Sequence, residues 1–152
     1  MPFVERITTR AYSRGTEVLS RVQTAVLSLY PEAVRERVDL KVTPTEGHNQ
    51  SPIMVLSADL RGKKDCHHVL TSILGRLEPS DRQTLMSTLE QRLDENCTLY
   101  IRVEKQDAYL GRVRLAVGPD LISIQVHLRD YPRCTPESVR GLLSATIESL
   151  EV

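Results

Sequence analysis

The run from Leu99 to Leu115, LYIRVEKQDAYLGRVRL, holds the residues with the most to offer chemically. Arg102, Lys105, Arg112 and Arg114 supply cations there, Tyr100 and Tyr109 supply flat rings, and Gln106 supplies an amide that both donates and accepts. A guanidinium group binds phosphate or stacks, an ammonium acts as a point charge, and a tyrosine ring presents its face to an unpaired base. This set suits holding single-stranded RNA; the alternative is a purely structural role, in which Lys105 and Gln106 hydrogen-bond carbonyls of the loop and Tyr109 packs as a lid on the core. The set provides no nucleophile paired with a base and no two carboxylates across a cleft, and GxGxxG, Walker, GxSxG and HExxH patterns are missing from the chain. We therefore expect no catalytic residue and no cofactor.

Two further groups of residues bear on ligands. His48, in a polar loop after Gly47, and Lys63, in Arg61-Gly62-Lys63-Lys64 just ahead of a helical pattern, are placed to meet phosphate at a helix start. The plainer alternative is that these cations stay solvated while Asp65 caps the helix. Cys66-His67-His68 invites a metal reading, but consecutive helical positions point about 100° apart and cannot converge on one ion. No metal site is expected.

These side chains need elements to position them, and the hydrophobic periods supply them. Along 99–104 Leu99, Ile101 and Val103 oppose Tyr100, Arg102 and Glu104; along 112–117 Val113, Leu115 and Val117 oppose Arg112, Arg114 and Ala116. With Ile122, Ile124, Val126 and Leu128 alternating after Gly118-Pro119-Asp120, this predicts a three-stranded antiparallel meander. Earlier, Phe3–Tyr12 reads as a strand with Glu5 awkwardly on its inner row, and Val38–Pro44 and Ile53–Leu60 read as two more strands. Helical spacing marks 16–29 with Thr16 as cap, 66–77, and 80–93 with a Ser80/Gln83 capping box. Thr135-Pro136-Glu137 opens a last helix, with Thr135 as cap. The order β-α-β-β-α-α-β-β-β-α predicts an α+β fold, a mainly antiparallel sheet with helices packed on one face. The other face would carry Arg6, Arg10, Tyr12, Gln125 and His127 beside the meander's Arg and Tyr residues. Solvated strands also carry arginine, and Glu5, Glu104 and Asp130 stand ready to neutralise these.

Composition bounds the reading. The 152 residues suit one domain, 1–152, with an aliphatic core. Twenty Lys and Arg balance twenty Asp and Glu, for a pI near 6.9, so any cationic site must arise by local clustering. Three cysteines without a CxxC pair point to reduced thiols and a cytoplasmic home. No apolar run reaches the ~18 residues of a membrane span.

Gly47-His48 with Pro52-Ile53, the RLDE at 92–95, the ISIQVHL at 122–128 and above all Ile101, Arg102, Lys105, Gln106, Ala108, Tyr109 and Gly111 in IRxxKQxAYxG resemble the archaeal RNA-binding domain family described as a predicted exosome subunit. The resemblance implies a fold like that of the ribosomal protein that binds 5S ribosomal RNA. It also implies RNA as partner, with exosome or other RNA-processing proteins nearby. In place of the glycine-asparagine pair expected after His48 stands Asn49-Gln50-Ser51. The competing reading is a protein-interaction adaptor or homodimer whose sheet face binds protein, which the neutral net charge favours.

Overall fold

The structure is a computed structural model that describes residues 2–45 and 53–150. Five strands, β1 (Phe3–Ser13), β2 (Asp39–Thr45), β3 (Ile53–Arg61), β4 (Thr98–Glu104) and β5 (Leu121–Arg129), form one antiparallel sheet in the order β2-β3-β1-β5-β4. The helices are α1 (Leu19–Ser28), α2 (Lys63–Arg76), α3 (Pro79–Ser87), α4 (Leu89–Arg92), α5 (Lys105–Tyr109) and α6 (Pro136–Leu150), with a 3-10 turn over Glu32–Arg37. The fold is thus α+β, as the periodicity predicts. Its core follows from the period-2 alternation: Ile7, Leu56, Leu60, Ile101, Ile124 and Val126 are fully buried against the apolar stripes of α1, α2 and α6. Each such side chain contributes about 1.5–3 kcal/mol. A bulge between Val4 and Arg6 resolves the awkward Glu5: it turns Val4 into the core and leaves Glu5 in water. The fully buried Tyr30 hydroxyl pairs with Thr9 Oγ1 at 3.0 Å, as a buried phenol must.

The expected meander is corrected at its middle arm. Residues 105–109 fold as α5, and the following chain touches β4 only through an isolated bridge, Val103 to Leu115. Glu104 N–H donates to Arg114 O and Ala116 N–H to Arg102 O, at 2.9 and 2.8 Å, but Leu115 N–H turns away to the Asp81 carboxylate at 3.0 Å. That N–H points away from β4 in such a bridge; the pairing ends because residues 105–109 coil into α5 and Arg112 N–H donates back to Asp107 O at 2.8 Å. Val113 and Leu115 are buried as expected, whereas Val117 is 98% exposed.

Other boundaries shift for similar reasons. Thr16 does not cap α1, whose cap position is Val18; the residues before it form a separate turn, in which Glu17 N–H donates to Arg14 O at 2.8 Å and the Glu17 carboxylate accepts from Lys105. No Ser80 cap bond forms, and the helix predicted over 80–93 is broken at Thr88 into α3 and α4. Thr135 does cap α6: Ser138 N–H donates to Thr135 Oγ1 and Thr135 N–H to Ser138 Oγ, a reciprocal pair in which serine fills the usual Glu position. Arginines close two helix ends, Arg35 and Arg76 on the last carbonyls of α1 and Arg82 on those of α2. The cysteine expectation is corrected too. Cys97 and Cys134, 37 residues apart, are disulfide-bonded, which spacing alone does not reveal. Cys66 is free and buried in the core, which pushes its thiol up to about 11. No helix among the described residues is long and apolar enough to cross a membrane.

Candidate nucleic-acid interface

The signature residues turn out to have divided duties. Lys105 opens α5 and is 6% exposed; its ammonium donates to Tyr12 O at 2.7 Å and meets Glu17 at 3.1 Å and Asp120 at 2.9 Å. Its charge is consumed within the fold, so it has no donor left for phosphate. Ala108 is fully buried, and its carbonyl accepts from Ser28 Oγ at 2.6 Å, fastening α5 to α1. Gly111 sits at φ +81°, the left-handed conformation that ends a helix and that glycine adopts without steric cost. Gln106 and Tyr109 remain at the surface and, with Arg21, whose guanidinium lies 5.8 Å from the Tyr109 ring centre, line a small cavity of about 250 Å3. Arg112 is exposed but leans 3.5 Å from Asp107.

The second half of the RLDE segment is equally structural. Asp94 Oδ1 accepts from Asn96 N–H and Thr98 N–H, forming the turn that launches β4, and Asp94 Oδ2 accepts the Tyr100 hydroxyl at 3.2 Å. Partial burial and this carboxylate raise the Tyr100 phenol, so it stays protonated. Lys63, at the first position of α2, lies 4.9 Å over the Phe3 ring, away from the residues just described. His48 lies outside the described residues.

The sheet's open face gathers what the sequence scatters. Pairing across all five strands aligns Lys41, Ser57, Arg10, Ser123 and Arg102 in one row. A parallel row holds Asp39, Asp59, Thr8, Gln125 and Tyr100. Alternation from the Leu115 bridge puts Arg114 beside Arg102 and Glu104 at the β4 edge. Arg10, Arg102 and Arg114 are exposed and form no ion pair among the described residues, and Lys41 has only a loose contact to Asp39 at 3.8 Å. Serines between the cations leave an open floor. Arg102 lies 5.9 Å from the Tyr100 ring centre, and its charge, after burial, helps lower the Arg92 guanidinium, which marks a concentration of positive charge at this edge. Lys41 belongs to this row and was overlooked in the sequence reading, although its place between Leu40 and Val42 marks it as outward.

One end of the face is neutralised. Arg6 clasps Asp59 through two bonds of 2.9 Å and holds that carboxyl below its ordinary range. His127, whose ring nitrogens lie 3.3 Å from Thr8 Oγ1 and 3.2 Å from Thr98 Oγ1, is held below the usual imidazole range, first by burial and then by the Arg6 charge. These groups line a shallow hollow of about 370 Å3 that also reaches Arg10 and Lys41. Among the described residues, no group of three His, Cys, Asp or Glu side chains could hold a metal ion. The surface presents cations, hydroxyls, an amide and a ring, which is the equipment of a polyanion-binding sheet.

Known proteins share this plan. The chain is 33% identical over 124 residues to the RNA-binding protein PAB1135 of Pyrococcus abyssi, covering 81% of this chain and 80% of that one. Among solved structures, protein AF2318 of Archaeoglobus fulgidus superposes with a TM-score of 0.78 at 29% identity, covering 94% of this chain and 99% of the other. Mth689 of Methanothermobacter thermautotrophicus, at 23% identity, shares the fold with a TM-score of 0.74 over 95% of this chain and 98% of its own. A family model described as RNA binding matches residues 6–128, the sheet and most of the helices included, and the chain therefore belongs to that RNA-binding family.

Proposed function

We propose that this protein is a non-catalytic RNA-binding domain that lays a single strand across its open sheet face. Lys41, Arg10, Arg102 and Arg114 hold phosphates, Tyr100 stacks a base, and Gln125 and Ser123 bond base edges or ribose. Gln106, Tyr109 and Arg112 extend the surface around the β4 edge, and Lys63 and His48 add contacts where the RNA runs longer. Lys105 takes no part. The observation that carries the reading is the cross-strand row in which Arg10 and Arg102 form no ion pair among the described residues and Lys41 makes only a 3.8 Å contact to Asp39, in a chain whose net charge is zero. Membership of the RNA-binding family supports it. The resemblance to a predicted exosome subunit, with its likeness to a 5S-rRNA-binding ribosomal protein, leads us to place the protein in the cytoplasm, beside RNA-processing or degradation machinery.

Salt dependence tests the site. Phosphate contacts to single strands contribute a slope of about −0.7 each, so Lys41, Arg10, Arg102 and Arg114 together give about −2.8, an affinity loss of about 50-fold between 50 and 200 mM salt. In fluorescence-anisotropy titrations of labelled single-stranded RNA, Arg10→Ala/Arg102→Ala should halve that slope. A double variant with the wild-type slope refutes the assignment. Partners that survive RNase treatment, together with no response to RNA, would instead establish the adaptor reading.

A further inference from the structure

The polar track of the sheet continues past its last strand position. His127 lines the hollow on the sheet face and also a second hollow, of about 650 Å3, beyond the end of β5. That second hollow is bordered by Thr98, Arg129, Tyr131 and Arg133, by the carboxylates Glu5, Glu95 and Asp130, and by the Cys97–Cys134 disulfide. Two features of its far wall stand out. The Tyr131 ring is 88% exposed, and Arg133 beside it is exposed and forms no ion pair among the described residues. Arg129, by contrast, is committed to Glu5 at 2.6 Å, which removes one of the carboxylates that would repel a polyanion here. An exposed aromatic next to an exposed guanidinium is a pairing with which proteins stack and anchor an unpaired base.

Residues 130–135 carry no regular structure, so something other than a backbone ladder must hold Tyr131 at the end of the sheet. The disulfide does this. Cys134 is tied to Cys97, the residue before β4, whose carbonyl accepts Leu128 N–H at 3.0 Å and so extends the β4–β5 pairing to the tether itself. Freed of that tether, the segment would have many positions available and the stacking ring would lose its preset place.

We propose that Tyr131, with Arg133, is a stacking subsite for one unpaired nucleobase of a single strand that crosses the sheet, and that the Cys97–Cys134 disulfide holds this subsite in line with the sheet-face track. The proposal rests on the reading of the open face as the RNA surface.

Titration of single-stranded oligouridylate, with wild type, Tyr131→Ala, Tyr131→Trp and Cys97→Ser/Cys134→Ser, tests it. Tyr131→Ala should weaken binding about fivefold or more, with the salt slope unchanged because no phosphate contact is lost. Tyr131→Trp should restore wild-type affinity. The double serine variant, checked by circular dichroism to be folded at the titration temperature, should show a loss similar to that of Tyr131→Ala. Wild-type affinity for Tyr131→Ala, or failure of tryptophan to rescue, overturns the subsite. If Arg10→Ala/Arg102→Ala still lowers the slope in that case, the sheet-face reading stands without it, whereas absence of any RNA binding by wild type sinks both.

Discussion

Replacing Lys105 with alanine should unfold this protein more readily without touching its phosphate contacts. The ammonium satisfies three acceptors, and each loss has a size. The Tyr12 carbonyl, left without its 2.7 Å donor, costs about 1–3 kcal/mol, and the charge-assisted bonds to Glu17 are worth about 1.5–3 kcal/mol. Asp120, whose side chain is 50% exposed, adds only about 0.5 kcal/mol because water screens it. Glu17, 26% exposed, recovers some hydration in the variant, so the total settles at about 3–5 kcal/mol, as for breaking other buried ion pairs. With a urea m-value of about 2 kcal/mol per molar, the unfolding midpoint should fall by about 2 M. Lys105→Met, which keeps the apolar stem, should fall between the two. Circular dichroism in urea reads the midpoint, and RNA titrations at low temperature, where the variant is folded, should return the wild-type salt slope. An unchanged midpoint with a slope reduced by about 0.7 would show that Lys105 contacts RNA after all, and the assignment of its charge to the fold would be wrong.

Two other outcomes follow from single contacts. Thr135→Ala removes the hydroxyl that accepts from Ser138 N–H, and should lower stability by about 1 kcal/mol in the same urea assay; Thr135→Asp should keep most of it. His127 is held below the usual imidazole range, so the unfolded chain binds its proton more readily than the folded one. Its contribution to stability is present above pH of about 6.5 and is lost as pH falls through the lower folded value. His127→Gln should flatten that part of the stability profile. RNA phosphate favours the imidazolium, so wild-type affinity should rise as pH falls toward the lowered folded value of His127, more than in the glutamine variant; parallel profiles would show that His127 does not face the RNA.

Much of the architecture was legible in the pattern of residue types. Period-2 alternation marks Phe3–Tyr12 and Ile122–Leu128, within β1 and β5, because a half-buried strand must send alternate side chains to opposite sides, and a nearly continuous apolar run marks Ile53–Leu60, within β3. The outward positions of Arg10, Tyr100, Arg102 and Gln125 came from the same rule. Thr135-Pro136 announced α6 because capping is decided within a few residues. The middle arm of the meander misled for the opposite reason. Val113, Leu115 and Val117 alternate like a strand, but residues 105–109 coil into α5 and Arg112 N–H turns back to Asp107 O, while Leu115 N–H, on the side away from β4, is held by Asp81, 34 positions away.

Charge partnership is where local reading stopped. Neighbouring residues leave Lys105 open between a ligand and a structural hydrogen-bonder of its loop; the acceptors that decide it, Tyr12 and Glu17, lie 93 and 88 positions upstream. Arg6 is silenced by Asp59 from 53 positions away, while Arg10, four residues on, keeps its charge for the solvent. Cys97 and Cys134 meet only because the end of β5 and the start of β4 are neighbours in the sheet. Residue types and their periods settle which side of an element faces water, since that depends on local backbone geometry. Which cations remain unneutralised, and that Lys41, Arg10 and Arg102 stand in one row, depends on strand register and on pairings between distant segments, and these exist only once the sheet has assembled.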